Sequence, residues 1–231
     1  MRRSRTGVAR ARAPGGEPGQ APSPWAPRQE RARQRNLKRD AVIHAAARAF
    51  RERGYHNTTL DDIATFLNVT KPTIYYYLTG KEQIIYECFR AGTGRIAAAL
   101  EELEHSSDSG GARLASLVRR YAEVMASDFG WCMVRVEDHD LSPAVARRIK
   151  SLKSQIDQGI RRLLTAGIQD GSIRECDPKM TAFALAGALN WIGHWYRADQ
   201  ALAPEQIAAR FCELFEQGLR PRATGPAEEE S

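Results

Sequence analysis

The sequence is poor in cysteine, has no long uninterrupted hydrophobic run and lacks the apolar amino-terminal core of a secretory signal. Its four cysteines, Cys88, Cys132, Cys176 and Cys212, lie far apart and show no paired spacing. This spacing argues against a metal-binding knuckle or a redox pair and favours a reducing compartment. The most apolar stretch, residues 180–196, contains Thr, Asn and His and is too short to span a bilayer comfortably. We therefore expect a cytoplasmic protein without a membrane segment.

Segments in which polar and apolar residues alternate are also lacking, which argues against β-strands of useful length. Hydrophobic residues make up 42% of the 231 residues, which is ordinary for a soluble globular protein. The length allows one small module and one larger core. The sequence therefore predicts an all-α protein, in which an amino-terminal three-helix module is joined to a larger helical domain.

Positive charge is concentrated at one end of the chain. The net charge is +6, but residues 1–40 hold eleven cations against three acids. The remaining residues therefore carry slightly more acids than cations. A basic region confined to one end is typical of proteins that bind a polyanion there. This charge pattern favours nucleic acid as a partner.

Residues 59–81, TLDDIATFLNVTKPTIYYYLTGK, predict two short helices joined by a turn. Thr59 is the expected cap of the first helix, and the acids that follow it suit the positive end of a helix. Thr70 is the expected cap of the second helix, since Pro72 is well tolerated in a first turn. Each helix has one apolar face, and the expected core residues are Leu60, Ile63, Ala64, Leu67, Ile74 and Leu78.

The other residues of the second helix are unusual for a surface that only meets water, because three adjacent tyrosines follow a cation. A helix fits the major groove of DNA, where lysine contacts guanine edges, proline and tyrosine carbons contact thymine methyl groups, and hydroxyls reach phosphate. The alternative is a helical hairpin whose tyrosines pack on neighbouring helices. The predicted DNA contacts are Thr59, Thr70, Lys71, Pro72, Thr73, Tyr75, Tyr76, Tyr77 and Lys81.

Helical spacing of apolar residues predicts the remaining helices. They cover residues 36–53, 81–105, 112–127, 131–137, 143–170, 178–196 and 204–218. Residues 1–34 are rich in Arg, Pro and Gly and are expected to be a disordered basic extension, and residues 220–231 a disordered tail. The predicted domains are therefore a helix-turn-helix DNA-binding module at residues 35–81 and a ligand-binding and dimerisation domain at residues 82–219.

The last two predicted helices carry more apolar surface than one helical pair hides. Residues 178–196 are apolar on nearly all sides, and small residues such as Ala184 and Gly187 would admit a neighbouring helix. Two such helices that meet their symmetry mates form a four-helix interface. We therefore expect a homodimer through the last two helices. The alternative is that both helices serve only the core of their own chain.

Large amphipathic side chains in the carboxy-terminal domain predict an apolar ligand cavity, although each of them alone is equally compatible with an ordinary core. Residues 137–140, EDHD, do not predict a metal or acid–base site, because adjacent side chains point in different directions and no second His or Cys lies at ligand spacing. No catalytic residue, metal or cofactor is expected. The predicted cavity residues are Tyr121, Met125, Trp131, Met133, Trp191, His194 and Trp195.

The amino-terminal third of the chain resembles the TetR/AcrR family of one-component transcriptional regulators. The resemblance rests on Phe50, Gly54 and Tyr55, and on the segments TTLDDIA at 58–64 and VTKPTIYYYL at 69–78, followed by Lys81 and Glu82. It implies an all-helical fold, a dimer that binds a palindromic operator and a ligand-responsive carboxy-terminal domain.

By the pattern of this family, bases would be contacted by Lys71, Pro72, Thr73 and Tyr75, and phosphates by Thr59, Tyr77 and Lys81. Two positions depart from the pattern. Leu78 replaces a core residue that is commonly aromatic, and Gly80 stands where a better capping residue is usual. The junction into the following helix is therefore expected to be looser.

Residues 189–197, LNWIGHWYR, are similar to a branch of the family that controls lipid, sterol or aromatic-acid degradation and senses coenzyme A thioesters. The similarity implies an effector such as an acyl-CoA, whose binding releases DNA. Cations for its phosphates would come from Arg147, Arg148, Lys150, Lys153, Arg161, Arg162 and Arg197. The sequence thus predicts a ligand-responsive repressor, and the alternatives are a helical protein-binding adaptor or a helical enzyme.

Overall fold

The computed structural model describes residues 28–197, 199 and 202–221, and these residues form helices and no strand. The predicted all-α fold is confirmed. Within this part of the chain, none of the helices is both long and apolar enough to cross a bilayer. The helices are α1 (Arg28–Arg53), α2 (Leu60–Phe66), α3 (Lys71–Tyr77), α4 (Lys81–Glu104), α5 (Gly110–Met125), α6 (Asp128–Arg135), a short 3₁₀ helix (Asp138–Asp140), α7 (Pro143–Gln169), α8 (Pro178–Trp195) and α9 (Pro204–Leu219).

Helix α1 begins at Arg28, well before the expected start at residue 36. Residues 28–34 are therefore helical, although the sequence predicted disorder there. The reason is that Arg, Gln, Glu and Ala are all good helix formers. The rest of the predicted extension, residues 1–27, and residues 222–231 of the predicted tail lie outside the described residues. The chain divides into two units between Lys38 and Arg39, and the first buried side chain of α1 is Val42.

From Arg39 onward, one continuous hydrophobic core runs through the helix-turn-helix and into the carboxy-terminal helices. Phe50 at the end of α1 is fully buried in it. Gly54 ends α1 with a φ of +84°, and its N–H donates to the Phe50 carbonyl, as expected of a glycine that closes a helix. Because the core is continuous, the helix-turn-helix is supported by the helices that follow it. The domain boundary between residues 81 and 82 stays a prediction.

Helix α4 joins the helix-turn-helix to the remaining helices and packs against three of them, α5, α6 and α7. It has 24 residues, so its length is about 36 Å at about 1.5 Å per residue. One side of α4 is apolar and buried, and it carries Ile84, Ile85, Cys88, Phe89, Ile96, Leu100 and Leu103.

Two helices start earlier than the sequence predicted, because serine caps precede them. Helix α5 begins at Gly110 rather than 112, since Ser109 accepts a hydrogen bond from the Ala112 N–H. Helix α6 begins at Asp128 rather than 131, since Ser127 accepts from the Gly130 N–H. The capping bonds satisfy the first N–H groups of both helices and extend them.

Candidate nucleic-acid interface and adjoining cleft

Thr59 caps helix α2 with a reciprocal pair of hydrogen bonds. Its hydroxyl accepts from the Asp62 N–H at 3.2 Å, while the Asp62 carboxylate accepts from the Thr59 N–H at 2.8 Å. Arg53, at the end of α1, also donates to Asp62 at 2.7 Å. The Thr59 hydrogen bonds and then Arg53 lower the pKa of Asp62 below its usual value. The predicted cap is confirmed, and it fixes the start of α2 against the end of α1.

The turn between α2 and α3 depends on Asn68, whose φ of +53° is in the left-handed region that asparagine tolerates. The Val69 N–H donates to the Ala64 carbonyl at 2.9 Å and closes the turn. Thr70 occupies the N-cap position of α3 but makes no capping bond, and its hydroxyl lies 3.0 Å from that of Thr73. The expectation that Thr70 caps α3 is therefore wrong for its side chain. Pro72 is in the first turn, as predicted.

The two core residues predicted for the second helix, Ile74 in α3 and Leu78 at its C-cap, are both buried, as predicted. Tyr75 is 49% exposed and Tyr76 is 65% exposed. Tyr77 is half-buried, and its ring meets that of Tyr76 edge-on with centroids 4.9 Å apart. The alternative in which the tyrosines pack on neighbouring helices therefore applies to Tyr77 alone.

Lys71 begins α3 and forms an ion pair with Asp61 of α2, with 2.7 Å between Nζ and Oδ2. The hydrogen bond and the charge of Asp61 raise the pKa of Lys71. The pair is exposed, so water competes with it and the lysine is easily redirected. Lys71 therefore remains positively charged and accessible next to the exposed tyrosines.

Lys81, the first residue of α4, lies over the ring of Tyr55 with Nζ 4.3 Å from the centroid. Its Nζ also donates to the His56 carbonyl at 3.3 Å. Burial lowers the pKa of Lys81. The cation–π contact holds the start of α4 close to the end of α1, which leaves Lys81 less free to move than Lys71.

The predicted cavity residues separate into two groups. Tyr121, Met125 and Met133 are core residues with at most 7% exposure. The Tyr121 hydroxyl donates to Asn190 at 3.0 Å, and burial raises the pKa of Tyr121 to about 12. Trp191 is 62% exposed on the surface of α8. These four residues do not line the cleft that contains the other three.

Trp131, His194 and Trp195 line one cleft of about 770 Å³ between α1, α6 and the end of α8. Burial, and then the charge of Arg135, lowers the pKa of His194. The sequence predicted four of the lining residues, these three as cavity residues and Arg197 as a cation for phosphate, and missed the other charged residues. The lining residues other than Trp131, His194 and Trp195 are Arg48, Arg51, Glu52, Asp128, Arg135, Tyr196, Arg197 and Asp199.

Arg51 connects the helix-turn-helix to this cleft. Its guanidinium donates to the Asp128 carboxylate at 3.0 Å and to the Tyr196 carbonyl at 2.9 Å. It also lies 5.5 Å from the centre of the Tyr196 ring. One side chain of α1 thus contacts the start of α6 and the residue that follows α8. In the sequence, Arg51 had only the signature of a cation in the last turn of a helix.

The acidic residues 137–140 form a short 3₁₀ helix rather than a loop without regular structure. Asp140 accepts from the Glu137 N–H at 2.9 Å and lies 2.9 Å from Nε2 of His56. The Glu137 N–H is the main reason why the pKa of Asp140 is low, followed by His56 and His139. Across the residues that the structure describes, no three His, Cys, Asp or Glu side chains are grouped as metal ligands would be.

A capped short helix, a tight turn and a second helix with exposed Lys, Pro and Tyr define a helix-turn-helix protein. Comparison with known proteins identifies the family. Residues 42–88 match the family described as "Bacterial regulatory proteins, tetR family", and residues 107–219 match "Tetracyclin repressor-like, C-terminal domain". The two matches cover more than half of the chain. The chain therefore belongs to the TetR family and is a transcriptional regulator, as predicted.

Individual relatives agree with this assignment. The repressor KstR2 of Rhodococcus jostii is 26% identical over 187 residues, which cover 79% of this chain and 91% of that protein. The solved structure of the TetR family regulator PfmR from Thermus thermophilus has a TM-score of 0.70 at 26% identity, and covers 78% of this chain and 99% of that one. AibR, solved with isovaleryl coenzyme A and operator DNA, has a TM-score of 0.65 at 24% identity, with coverage of 76% and 96%.

Proposed function

We propose that this protein is a homodimeric repressor that binds a palindromic operator in the cytoplasm and releases it when an acyl-CoA thioester binds. The observation that carries the DNA-binding part is the exposed surface of α3. Lys71, Pro72, Thr73 and Tyr75 would read bases, while Thr59, Tyr77 and Lys81 would hold phosphates. Thr70 and Tyr76 are also exposed and complete the proposed set of contacts.

A dimer interface is supported by exposed apolar residues on α8 and α9. Met180, Phe183 and Trp191 of α8 are each at least 50% exposed, as is Leu214 of α9. We call these four residues the apolar face. Ala184 and Gly187 lie between them on α8, so a second helix is able to approach closely. Exposed apolar patches of this kind mark association sites, and a symmetry mate would cover this one.

The effector site that we propose is the cleft containing Trp131, His194 and Trp195. A volume of about 770 Å³ suits a large organic ligand. Its aromatic side chains offer stacking surfaces for an adenine ring, and its four guanidinium groups suit phosphates. Three of these arginines pair with carboxylates, whereas Arg135 donates to the His194 carbonyl. The CoA complex of AibR makes a thioester the first ligand to test.

Release would follow if the effector disturbs the contacts of Arg51. An anionic ligand in the cleft competes with Asp128 for this guanidinium. Arg51 lies in α1, whose buried residues form part of the core of the DNA-binding module. Moving a two-state population decisively requires an affinity difference of about 5 kcal/mol between the states. A large ligand that contacts several arginines is able to supply a difference of this size.

We expect no catalysis by this chain. Among the described residues that line the cleft there is a histidine but no Ser, Thr or Cys to act as a nucleophile. Family membership points in the same direction, because the relatives named above are regulators or repressors.

The test is fluorescence anisotropy on DNA from upstream of the protein's own gene, followed by isothermal titration with a panel of acyl-CoAs. We expect sequence-selective binding that weakens steeply with salt, and release by at least one thioester. Absence of selective binding at low salt would refute the regulator and favour the adaptor. Selective binding without heat or release across the panel would refute only the effector class.

A further inference from the structure

The first part of α1, residues 28–38, is a helix without a buried side chain. We call it the basic segment. It holds five cations against one acid, Glu30. Its one large apolar residue, Leu37, is 53% exposed. A hydrogen bond from Gln34 to Glu30, at 3.0 Å, supports the helix along its surface. The basic segment therefore gains nothing from a hydrophobic core.

Four of the five cations lie on one side of this helix. Arg28, Arg31, Arg35 and Lys38 are separated by three, four and three residues, which is the spacing that places side chains on one helical face. At about 1.5 Å per residue the row is about 15 Å long. Duplex DNA carries one negative charge per about 1.7 Å of its axis, so a row of this length faces several phosphates.

Like charges three or four residues apart on a helix repel one another and destabilise it. An anionic partner would offset this repulsion. A membrane surface fits poorly, because a helix that binds there buries an apolar face, and the basic segment has none. The remaining partner with a high and regular density of negative charge is a nucleic acid.

The basic segment lies outside the residues that match the family. The match to the TetR family begins at residue 42. The alignment to KstR2 covers 91% of that protein but only 79% of this chain. Five further arginines precede the segment in the sequence, at positions 2, 3, 5, 10 and 12.

We propose that the basic segment is a second DNA-contact surface, which binds the phosphate backbone of duplex that flanks the operator. It adds affinity and salt dependence without base preference, because phosphate contacts carry no direct sequence information. The inference rests on the proposed operator binding by the helix-turn-helix.

The experiment compares the full-length protein with the variant Arg28→Gln, Arg31→Gln, Arg35→Gln, Lys38→Gln. The control variant removes the same charge from exposed positions outside the helix-turn-helix: Arg119→Gln, Arg174→Gln, Lys179→Gln and Arg220→Gln. Each protein is titrated by anisotropy against a duplex that ends at the operator edges and one extended by about ten base pairs, the length of a helical turn, on each side. Potassium chloride is varied throughout.

We expect the unaltered protein and the control to bind the long duplex more tightly than the short one, with a steeper salt dependence. In the basic-segment variant the slope of log K against log salt becomes less steep by about 0.9 for each phosphate that the protein no longer neutralises. Its affinity for the short duplex stays close to that of the control. Equal slopes and affinities for both variants on the long duplex would overturn the proposal.

If the helix-turn-helix does not bind an operator, the experiment gives a different result. In that case the unaltered protein does not distinguish the operator from unrelated DNA of the same length, even on the short duplex. Loss of selectivity in the basic-segment variant alone would also overturn the inference, because it would assign base reading to residues 28–38 rather than phosphate binding.

Discussion

Thr59 and Thr70 are the N-cap residues of α2 and α3, but their hydrogen bonds differ. Thr59 makes a reciprocal cap with Asp62, whereas Thr70 makes no cap bond. Both residues are exposed, so a change to alanine removes little packing at either position. The two residues therefore isolate the energetic value of the cap itself.

We predict that Thr59→Ala lowers the free energy of unfolding by about 1 kcal/mol, within the usual range for a lost N-cap, and that Thr70→Ala lowers it less. Urea denaturation at pH 7 measures both. The pKa of Asp62 is lower in the folded protein than in the unfolded chain, where it is about 3.9. The ionised carboxylate therefore contributes fully to folding stability above about pH 3.9. This contribution is lost as the pH falls through the pKa of the folded protein. The deficit of Thr59→Ala should therefore shrink below about pH 4. Equal losses in the two variants would contradict the capping argument.

Lys71 and Lys81 flank α3 and should differ in what they contribute to binding. Lys71 is exposed beside the tyrosines and is held only by Asp61, while Lys81 is fixed over Tyr55. We predict that Lys71→Ala lowers discrimination between the operator and its single-base variants by about 1–3 kcal/mol. Lys81→Ala should weaken binding to every sequence alike.

Anisotropy with the operator and a set of single-base variants distinguishes these results, and each lysine variant is the control for the other. A uniform loss of affinity for Lys71→Ala would assign Lys71 to phosphate rather than to a base.

At the scale of elements, helices α5 and α7 cross closely because Gly110 has no side chain. A Cβ on Gly110 would lie 2.3 Å from the Cα of Gly167, a distance that backbone atoms do not permit. The Gly110 N–H also donates to the Asp170 carboxylate at 2.6 Å, and this bond is the main reason why the pKa of Asp170 is low. The two helices are therefore fixed at this point by contact and by charge.

We predict that Gly110→Ala destabilises the protein by about 1–3 kcal/mol or more, because the helices must separate. The control is Gly94→Ala in α4, where an added Cβ meets nothing within 4 Å. That change should stabilise the protein by about 1 kcal/mol, since alanine is the better helix former. Thermal denaturation measures both, and a mild effect of Gly110→Ala would show that the crossing is less tight than described.

At the scale of the whole molecule, the apolar face and the operator-binding proposal depend on each other. We predict that Leu214→Arg makes the protein monomeric and abolishes tight operator binding, because a cation placed in a symmetric interface meets its own copy. Helix content should be unchanged, since Leu214 is 63% exposed in the single chain. Analytical ultracentrifugation and circular dichroism measure these properties.

The control for this prediction is Gln158→Arg on the exposed side of α7, which should remain dimeric. A monomeric wild type would remove the basis of the dimer proposal.

Effector response is also a property of the whole molecule, because it links the cleft to α3. We predict that Arg51→Gln weakens operator binding without effector, because it removes the contacts whose loss would cause release, and that it reduces the further response to effector, within the usual coupling range of about 1–3 kcal/mol. Arg48→Gln is the matched control, since Arg48 lines the same cleft but pairs with Glu52 of its own helix. Operator affinity with and without acyl-CoA measures the coupling. Equal responses in the two variants would exclude Arg51 as the link.

Local patterns in the sequence were sufficient for the helix-turn-helix. The Thr59 cap, the turn and the two core residues of α3 were all predicted, because they depend on neighbours within a few positions. The earlier starts of α1, α5 and α6 were not predicted, since Arg-rich and Ser-Gly segments are compatible with both helix and coil. The cleft was predicted only in part, because Arg51 and Asp128 are 77 positions apart and no local pattern connects them.

By itself, the sequence determined that this protein is helical, that its amino-terminal third carries a TetR-type helix-turn-helix, and that its positive charge lies at one end. Periodicity, capping residues and charge are local properties, and they are readable along the chain. Only the tertiary structure decided which aromatic residues of the predicted cavity meet in one cleft and which belong to the core. It also decided that Arg51 contacts that cleft, because long-range contacts arise from the packing of whole helices and not from the residues that happen to be adjacent.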